Sequence, residues 1–389
     1  MANNNKHTGP NVPALRFPEF SGEWEKVLLS SACEINPKTG SLDNQFLYID
    51  LESVVKGSLV KRQIIEKDGA PSRAQRVLKE NDILYQCVRP YQLNNYIFEG
   101  DTIQCVASTG YAQLRTTQFP LYIFQALHTK QFTNQVLERC TGTNYPAINS
   151  SDLGTVEVPI CSLPEQVKIG SLLALIDSRI KTQSKIIEEL TALRSALTEK
   201  CSRQAGTLFS LADILEETDE RSTVVNQYQV LSSTVKGIFS QKEYFNKDIA
   251  SEDNKGYKVV RRGNVVLSPQ NLWMGNINYN NRFDVGIVSP SYKIYSIKKG
   301  FNPTFIAALL KTKKALYEYM LASEQGASVV RRNLNVEAFM GITFRIPNAY
   351  QQEVLSKAIA AIDLKLSNEL AIFEQLQLQK GSLLENMFI

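Results

Sequence analysis

The chain has 389 residues, 43% hydrophobic and 21% charged, a balance that excludes extended disorder and a length that predicts more than one core. No run approaches the roughly 18 apolar residues of a membrane span, and the polar opening MANNNKHTGP lacks an apolar signal core, so a cytoplasmic location is the default expectation. The net charge of +4 tolerates a polyanionic partner without demanding one. Six scattered cysteines with no CxxC spacing, and two histidines, give no zinc signature and predict reduced thiols.

In chain order, FLYIDL (Phe46–Leu51) predicts a strand by its β-branched and aromatic content. Arg73 and Arg76 follow as a weak basic pair, and then QCVRPYQLNN (Gln86–Asn95) predicts a post-strand loop offering Gln86, Arg89, Tyr91, Gln92, Asn94 and Asn95. A second loop, TGTNYPAIN (Thr141–Asn149), offers Asn144 and Tyr145. Apolar residues at Ile169, Leu173, Ile176, Ile180, Ile187, Leu190 and Leu197 then trace a 4-3-4 seam, the mark of a long packed helix. Ser162 with Glu165 predicts a capping box at its start.

The second half repeats this order. Arg261 and Arg262 form a basic pair, GNVVLS (Gly263–Ser268) and SYKIYSI (Ser291–Ile297) predict strands, and SPQNLWMGNIN (Ser268–Asn278) offers Gln270, Asn271, Trp273 and Asn276. Phe301–Ala322 predicts a single helix with Phe305, Leu309, Leu316 and Met320 inward, started by Asn302-Pro303. QGASVVRRNLN (Gln325–Asn335) is a glycine-bearing loop with Arg331 and Arg332. A second seam runs through Leu355, Ile359, Ile362, Leu366, Phe373, Leu376 and Leu383, each 186 residues after its counterpart, with Asn348 and Gln351 at the matching start.

The same offset relates Gln166 to Gln352, Asp177 to Asp363, and the polar interruptions Gln183 and Glu369, which either fix register or mark a weak spot in the seam. Before the helices the match is looser: SVVKGSL (Ser53–Leu59) resembles STVKGIF (Ser233–Phe239), and VASTGY (Val106–Tyr111) resembles IVSPSY (Ile287–Tyr292). The predicted fold is therefore α/β: two similar mixed α/β domains, 1–161 and 205–347, separated by two long antiparallel coiled-coil-like helices, 162–204 and 348–389, with pseudo-two-fold symmetry. Each helix runs about 38 residues or roughly 57 Å, and Gly381 is a candidate kink or frayed end.

Such an object suits a split DNA site. Arg, Asn and Gln make paired hydrogen bonds to base edges, aromatics stack or meet thymine methyls, and glycines admit a close phosphate. The globular copies differ more than the helices do, as expected if a spacer is fixed by geometry while a reading surface changes with what it reads. Asn- and Gly-rich loops also serve as plain turns, and an Arg pair as solvated charge. Two alternatives stand beside this reading: a stand-alone DNA-modifying enzyme, and a protein-interaction scaffold. Against the enzyme, the chain has no GxxxxGK[ST] loop, no GxGxxG after a strand, no HExxH and no Asn/Asp-Pro-Pro-aromatic tetrapeptide. The pair Glu216/Glu217 lies in a polar run and reads as solvated charge.

The opening PALRFPEFSGEW (Pro13–Trp24), the Pro164–Gln166 helix entry and the repeated AxID (Ala174–Asp177, Ala360–Asp363) resemble the specificity subunit of bacterial Type I restriction–modification enzymes, over essentially the whole chain. The resemblance implies two target recognition domains, each reading one half of an asymmetric double-stranded site. It also implies two docked methyltransferase subunits and, optionally, two restriction subunits. S-adenosylmethionine, ATP and magnesium are then expected on those partners, with no catalytic residue, cofactor or metal on this chain. The second entry reads Tyr350-Gln351-Gln352 in place of Pro164-Glu165-Gln166.

Overall fold

A computed structural model describes residues 11–142, 144–241, 243, 253–325 and 332–389. The chain forms two compact units: Met1–Ser184 with Ala371–Ile389, and Lys185–Leu370. These do not stop at the helix boundaries expected from sequence. The helices α5 (Leu163–Ser202) and α10 (Ala349–Asn386) each give one half to each unit, because their opposite ends carry apolar residues into different cores.

In the first unit, β1 (Glu25–Leu28) pairs antiparallel with β12 (Glu157–Ile160). A four-stranded antiparallel sheet follows the order β2 (Cys33–Ile35), β11 (Tyr111–Thr116), β8 (Ile83–Gln86), β9 (Tyr96–Ile97). A second has the order β6 (Gln63–Glu66), β3 (Gln45–Ile49), β10 (Cys105–Ser108), β7 (Ala74–Val77), in which β3 and β10 are parallel. The hairpin β4 (Val54–Val55) and β5 (Ser58–Leu59) stands apart. Short helices α1 (Leu29–Ala32), α2 (Pro120–Ala126), α3 (Lys130–Glu138) and α4 (Ser150–Gly154) complete the unit. Proline opens α2, where its missing N–H costs nothing, and the Thr129 hydroxyl caps α3 by accepting from the Phe132 amide.

The second unit repeats this plan. The pair β13 (Thr207–Ser210) and β24 (Thr343–Ile346) matches β1 and β12. The sheet β14 (Leu215–Thr218), β21 (Lys293–Ile297), β18 (Asn264–Leu267), β19 (Ile277–Tyr279) matches the first four-stranded sheet. β15 (Leu231–Thr234) with β16 (Gly237–Ser240), and β17 (Lys258–Arg261) with β20 (Val285–Val288), form separate pairs. Among the described residues, a parallel bridge from Val230 to Ile287 is what this copy has of the β3–β10 pairing. Its helices are α6 (Leu211–Ile214), α7 (Pro303–Leu309), α8 (Lys313–Leu321) and α9 (Val336–Met340), and β22 (Ser323–Gln325) pairs with β23 (Arg332–Leu334).

The single helix expected over Phe301–Ala322 is in fact two. The Thr312 hydroxyl donates to the Leu309 carbonyl at 2.8 Å and accepts from the Ala315 amide at 3.2 Å, so one side chain closes α7 and starts α8. The break shifts the register, burying Tyr319 and leaving Met320 exposed where the uninterrupted period put it inward.

Along α5 and α10 the seam is deepest at the N-terminal ends: Ile169, Leu173, Ile176, Leu355 and Ile359 are buried, whereas Ile180, Ile187, Leu190, Leu197, Ile362, Leu366, Phe373, Leu376 and Leu383 are half-buried. The interrupting Gln183 and Glu369 are themselves buried, and Lys365 pairs with Glu369 one turn away. Within the first unit Asp177 pairs with Lys380, and within the second Arg194 pairs with Asp363, so in each the two segments run antiparallel. Lys380 lies 186 residues after Arg194, so both ion pairs belong to the repeat, their cations sitting in the seam itself. The helix runs unbroken through Gly381, whose Cα faces open space.

The expected capping box at Ser162 is replaced. Both oxygens of Glu165 accept from Arg16, Oε1 from Nε at 2.7 Å and Oε2 from Nη2 at 2.8 Å. The repeated glutamines have one job in both copies. The Gln166 amide oxygen accepts from the Phe119 N–H and its nitrogen donates to the Cys161 carbonyl. Gln352 does the same for Asn302 and Pro347.

Candidate nucleic-acid interface

In the first unit the chain leaves β8 through Arg89, at φ 54° and ψ 56°, makes a one-turn 3-10 helix over Pro90–Gln92, and exits through Leu93 at φ 53°. Left-handed backbone at two residues with a Cβ is strained, and such strain persists only where the surroundings hold it. The holding groups are visible. The Arg89 amide donates to the Pro146 carbonyl at 2.8 Å, and Val88 bridges to Ala147. Gln86 spans the loop from within: its Nε2 donates to the Val88 carbonyl and to Gln92 Oε1, and its Oε1 accepts from the Asn94 amide. The Asn95 Oδ1 accepts from the Gln86 amide at 2.9 Å. The two expected loops therefore meet, and the Arg89 guanidinium lies over the Tyr145 ring, 4.4 Å from its centroid.

Gln86 and Asn95 are buried and hold the loop's shape; they do not face solvent, where the sequence reading placed them as base contacts. Tyr91 and Tyr145 are 50% and 63% exposed, and Gln92 and Asn144 are exposed as well. Asn94 is half-buried, its Oδ1 accepting from the Lys56 amide at 2.9 Å in the turn between β4 and β5.

In the second unit the corresponding loop is a 3-10 helix over Pro269–Met274 that exits through Gly275 at φ 90°. Gln270 is exposed, and Asn271 and Trp273 are half-buried. Asn276, another expected base contact, is buried: its Oδ1 accepts from the Ser233 hydroxyl and its Nδ2 donates to the Ser233 carbonyl. Arg332 stacks over Trp273 at 5.0 Å, so an Arg–aromatic pair recurs with the partners exchanged between the loops. Arg331 lies outside the described residues.

The remaining basic pairs are differently placed. Arg261 is held by both oxygens of Glu220 and Arg262 by Asp284, so each guanidinium already has an intramolecular partner. Arg73 is exposed; Arg76 is half-buried in β7, and burial pulls its guanidinium below the ordinary value.

Two groups behind the loops gave no signal in sequence. His128 and Lys311 each precede the threonine that caps the next helix. His128 Nδ1 meets the Phe124 carbonyl at 2.6 Å and its Nε2 lies 3.4 Å from Asn95 Nδ2. Lys311 donates to the Gly275 carbonyl at 2.9 Å and to Asn278 Oδ1 at 2.8 Å, bracing the loop exit. Burial, and then Arg194, lower the Lys311 ammonium to about 8.

Burial, and then Lys380, lower His128 from 6.5 to about 4. Between those values the unfolded chain binds a proton that the folded one refuses, so stability falls as pH drops from about 6.5 toward 4. The loss is about 3 kcal/mol at the lower end. Hydrogen exchange in the first unit, measured across that range, is expected to show the loss in the wild type and a smaller one in His128→Gln; equal losses in the two proteins would assign the effect elsewhere.

Among the described residues no group of acidic, cysteine and histidine side chains could hold a metal, all six cysteines are free, and no helix is long and apolar enough to cross a membrane.

The chain thus holds two copies of a mixed α/β fold, each with a post-strand loop backed by an Arg–aromatic pair, strained at Arg89 and Leu93 in the first copy and relieved by Gly275 in the second. Residues 21–192 match the family model described as the Type I restriction modification DNA specificity domain. A specificity subunit of the Type I restriction enzyme HindI of Haemophilus influenzae is 24% identical over 162 residues, which are 40% of this chain and 32% of that relative. The matched part thus spans about a third of it. The fold is shared with the S subunit of a Type I restriction–modification system from M. genitalium (TM-score 0.61, 15% identity, covering 97% of this chain and 99% of that one). It is also shared with a chain solved in work on assembly and conformational transition of a type I R-M system (TM-score 0.53, 17% identity, covering 94% and 97%).

Proposed function

We propose that this chain reads DNA as the specificity subunit of a Type I restriction–modification system, each unit recognising one half of an asymmetric, two-part site. The observation that carries the reading is that one fold occurs twice with different side chains on the corresponding pair of loops: exposed Tyr91 and Tyr145 with half-buried Arg89 in one copy, exposed Gln270 with half-buried Trp273 and Arg332 in the other. A shared frame with a changing edge is what two readers of different sequences require. Buried Gln86, Asn95 and Asn276 act by positioning the loops. The long helices supply a scaffold for two methyltransferase subunits and, optionally, two restriction subunits in the cytoplasm. S-adenosylmethionine, ATP and magnesium then act on those partners, and this chain performs no catalysis of its own.

The test is methylation mapping by the complex reconstituted with its methyltransferase partner. Arg89→Ala is expected to relax one half-site, by roughly 1–3 kcal/mol of discrimination at the affected position, and to leave the other half unchanged. Equal disturbance of both halves would defeat the two-reader idea, and methylation with no preferred site would defeat the whole reading.

A further inference from the structure

The two units agree at one exposed place beside their differing loops. The turns Val55-Lys56-Gly57 and Val235-Lys236-Gly237 join β4 to β5 and β15 to β16. Each turn is tied to the residues at the end of its reading loop. Asn94 Oδ1 accepts from the Lys56 amide, and Asn278 Nδ2 donates to the Thr234 carbonyl at 2.7 Å and to the Ser233 hydroxyl at 2.8 Å. Lys56 takes φ 46°, and in the second turn the Lys236 amide donates to the Thr234 hydroxyl at 3.1 Å, so both tips are held by the frame. Both lysines are exposed, and among the described residues neither pairs with a carboxylate.

The reading-loop side chains differ between the copies, yet Ser53 and Val55-Lys56-Gly57 recur as Ser233 and Val235-Lys236-Gly237, and in each copy an asparagine at the end of the reading loop bonds the turn, through different atoms. A group that reads a base must change when the half-site changes, whereas a group that meets the backbone need not, because every nucleotide presents the same phosphate. A lysine is a point charge on a flexible stem and meets phosphate without fixed geometry.

From the placement of these turns beside the reading loops we infer that Lys56 and Lys236 are paired phosphate clamps, one per half-site, that set the depth and register of each loop on DNA without contributing to sequence choice. The inference rests on the DNA-reading function proposed above.

The full chain, alone and with its methyltransferase partner, can be titrated by fluorescence anisotropy against random duplex and against duplexes enriched by the wild type, across a range of salt. Asn tolerates the left-handed backbone at position 56, so Lys56→Asn and Lys236→Gln are suitable variants. Each is expected to weaken binding roughly fivefold near 0.15 M salt and to reduce the salt slope by about 0.9, equally on every duplex, with the enriched sequence unchanged. Lys56→Arg and Lys236→Arg should keep the wild-type slope. An unchanged slope in the neutral variants, or a changed sequence preference, overturns the clamp assignment while wild-type binding leaves the DNA-reading function standing. A wild type that binds no duplex overturns both.

Discussion

Replacing Arg16 by Ala is expected to destabilise the first unit by about 3–5 kcal/mol, much more than a surface substitution. The guanidinium and carboxylate of the Arg16–Glu165 pair are 4% and 1% exposed, and the pair is bidentate. Arg16 also donates to the Ser21 carbonyl at 3.0 Å and to that of Gly22, so it folds the opening segment onto itself before docking it on α5. Without Arg16, Glu165 becomes a buried charge with no counterion, and the desolvation it already bears is no longer offset. Arg16→Ala with Glu165→Gln removes the stranded charge and is expected to recover part of the loss, a coupling that a double-mutant cycle in urea reads directly. An Arg16→Ala protein within 1 kcal/mol of wild type would mean that the ion pair adds nothing over solvated charges.

The Phe388→Ala variant is expected to lose about 3–5 kcal/mol in the same unit, by a different cause. The ring packs edge-on to Trp24 at 6.2 Å and tilted on Tyr122 at 5.3 Å, and it is 7% exposed. Truncation leaves a void beside two large side chains that cannot collapse into it, because Trp24 precedes β1 and the Tyr122 hydroxyl donates to the Pro159 carbonyl at 2.8 Å. Hydrogen exchange should rise in β1, α2 and the Ile169–Leu173 turn of α5, while the core around Phe339 and Phe344 keeps its protection, because it is a separate cluster. Uniform loss of protection in both units would show that they unfold together and that the two cores are not independent.

The long helices were legible because their signal is local and repeated: an apolar residue every three or four positions, twice, at a constant offset. The break at Thr312 was not, since a threonine within an apolar period reads equally well as a tolerated helical residue until its hydroxyl is seen bonding both ways. The reading loops were half legible. Proline, glycine and the amide residues marked where the chain turns, but the orientation of each amide depends on the backbone path. At Arg89 and Leu93 that path is left-handed and imposed by contacts with Pro146 and Gln86. Hence Gln86 and Asn95 turn inward while their neighbours Tyr91 and Gln92 stay outside.

The duplication, the seam, the helix-starting residues and the likeness of the two Lys-Gly turns are properties of the sequence by itself, since each is set by residues within a few positions of one another or by direct comparison of two stretches. Tertiary structure alone decided that Glu165 serves Arg16, 149 residues away, and not its own helix cap. It also decided that each long helix is divided between two cores, and which polar side chains brace a loop from behind. Those choices turn on which distant group reaches a buried donor or acceptor first, and burial makes any unmatched group costly enough to override the local preference.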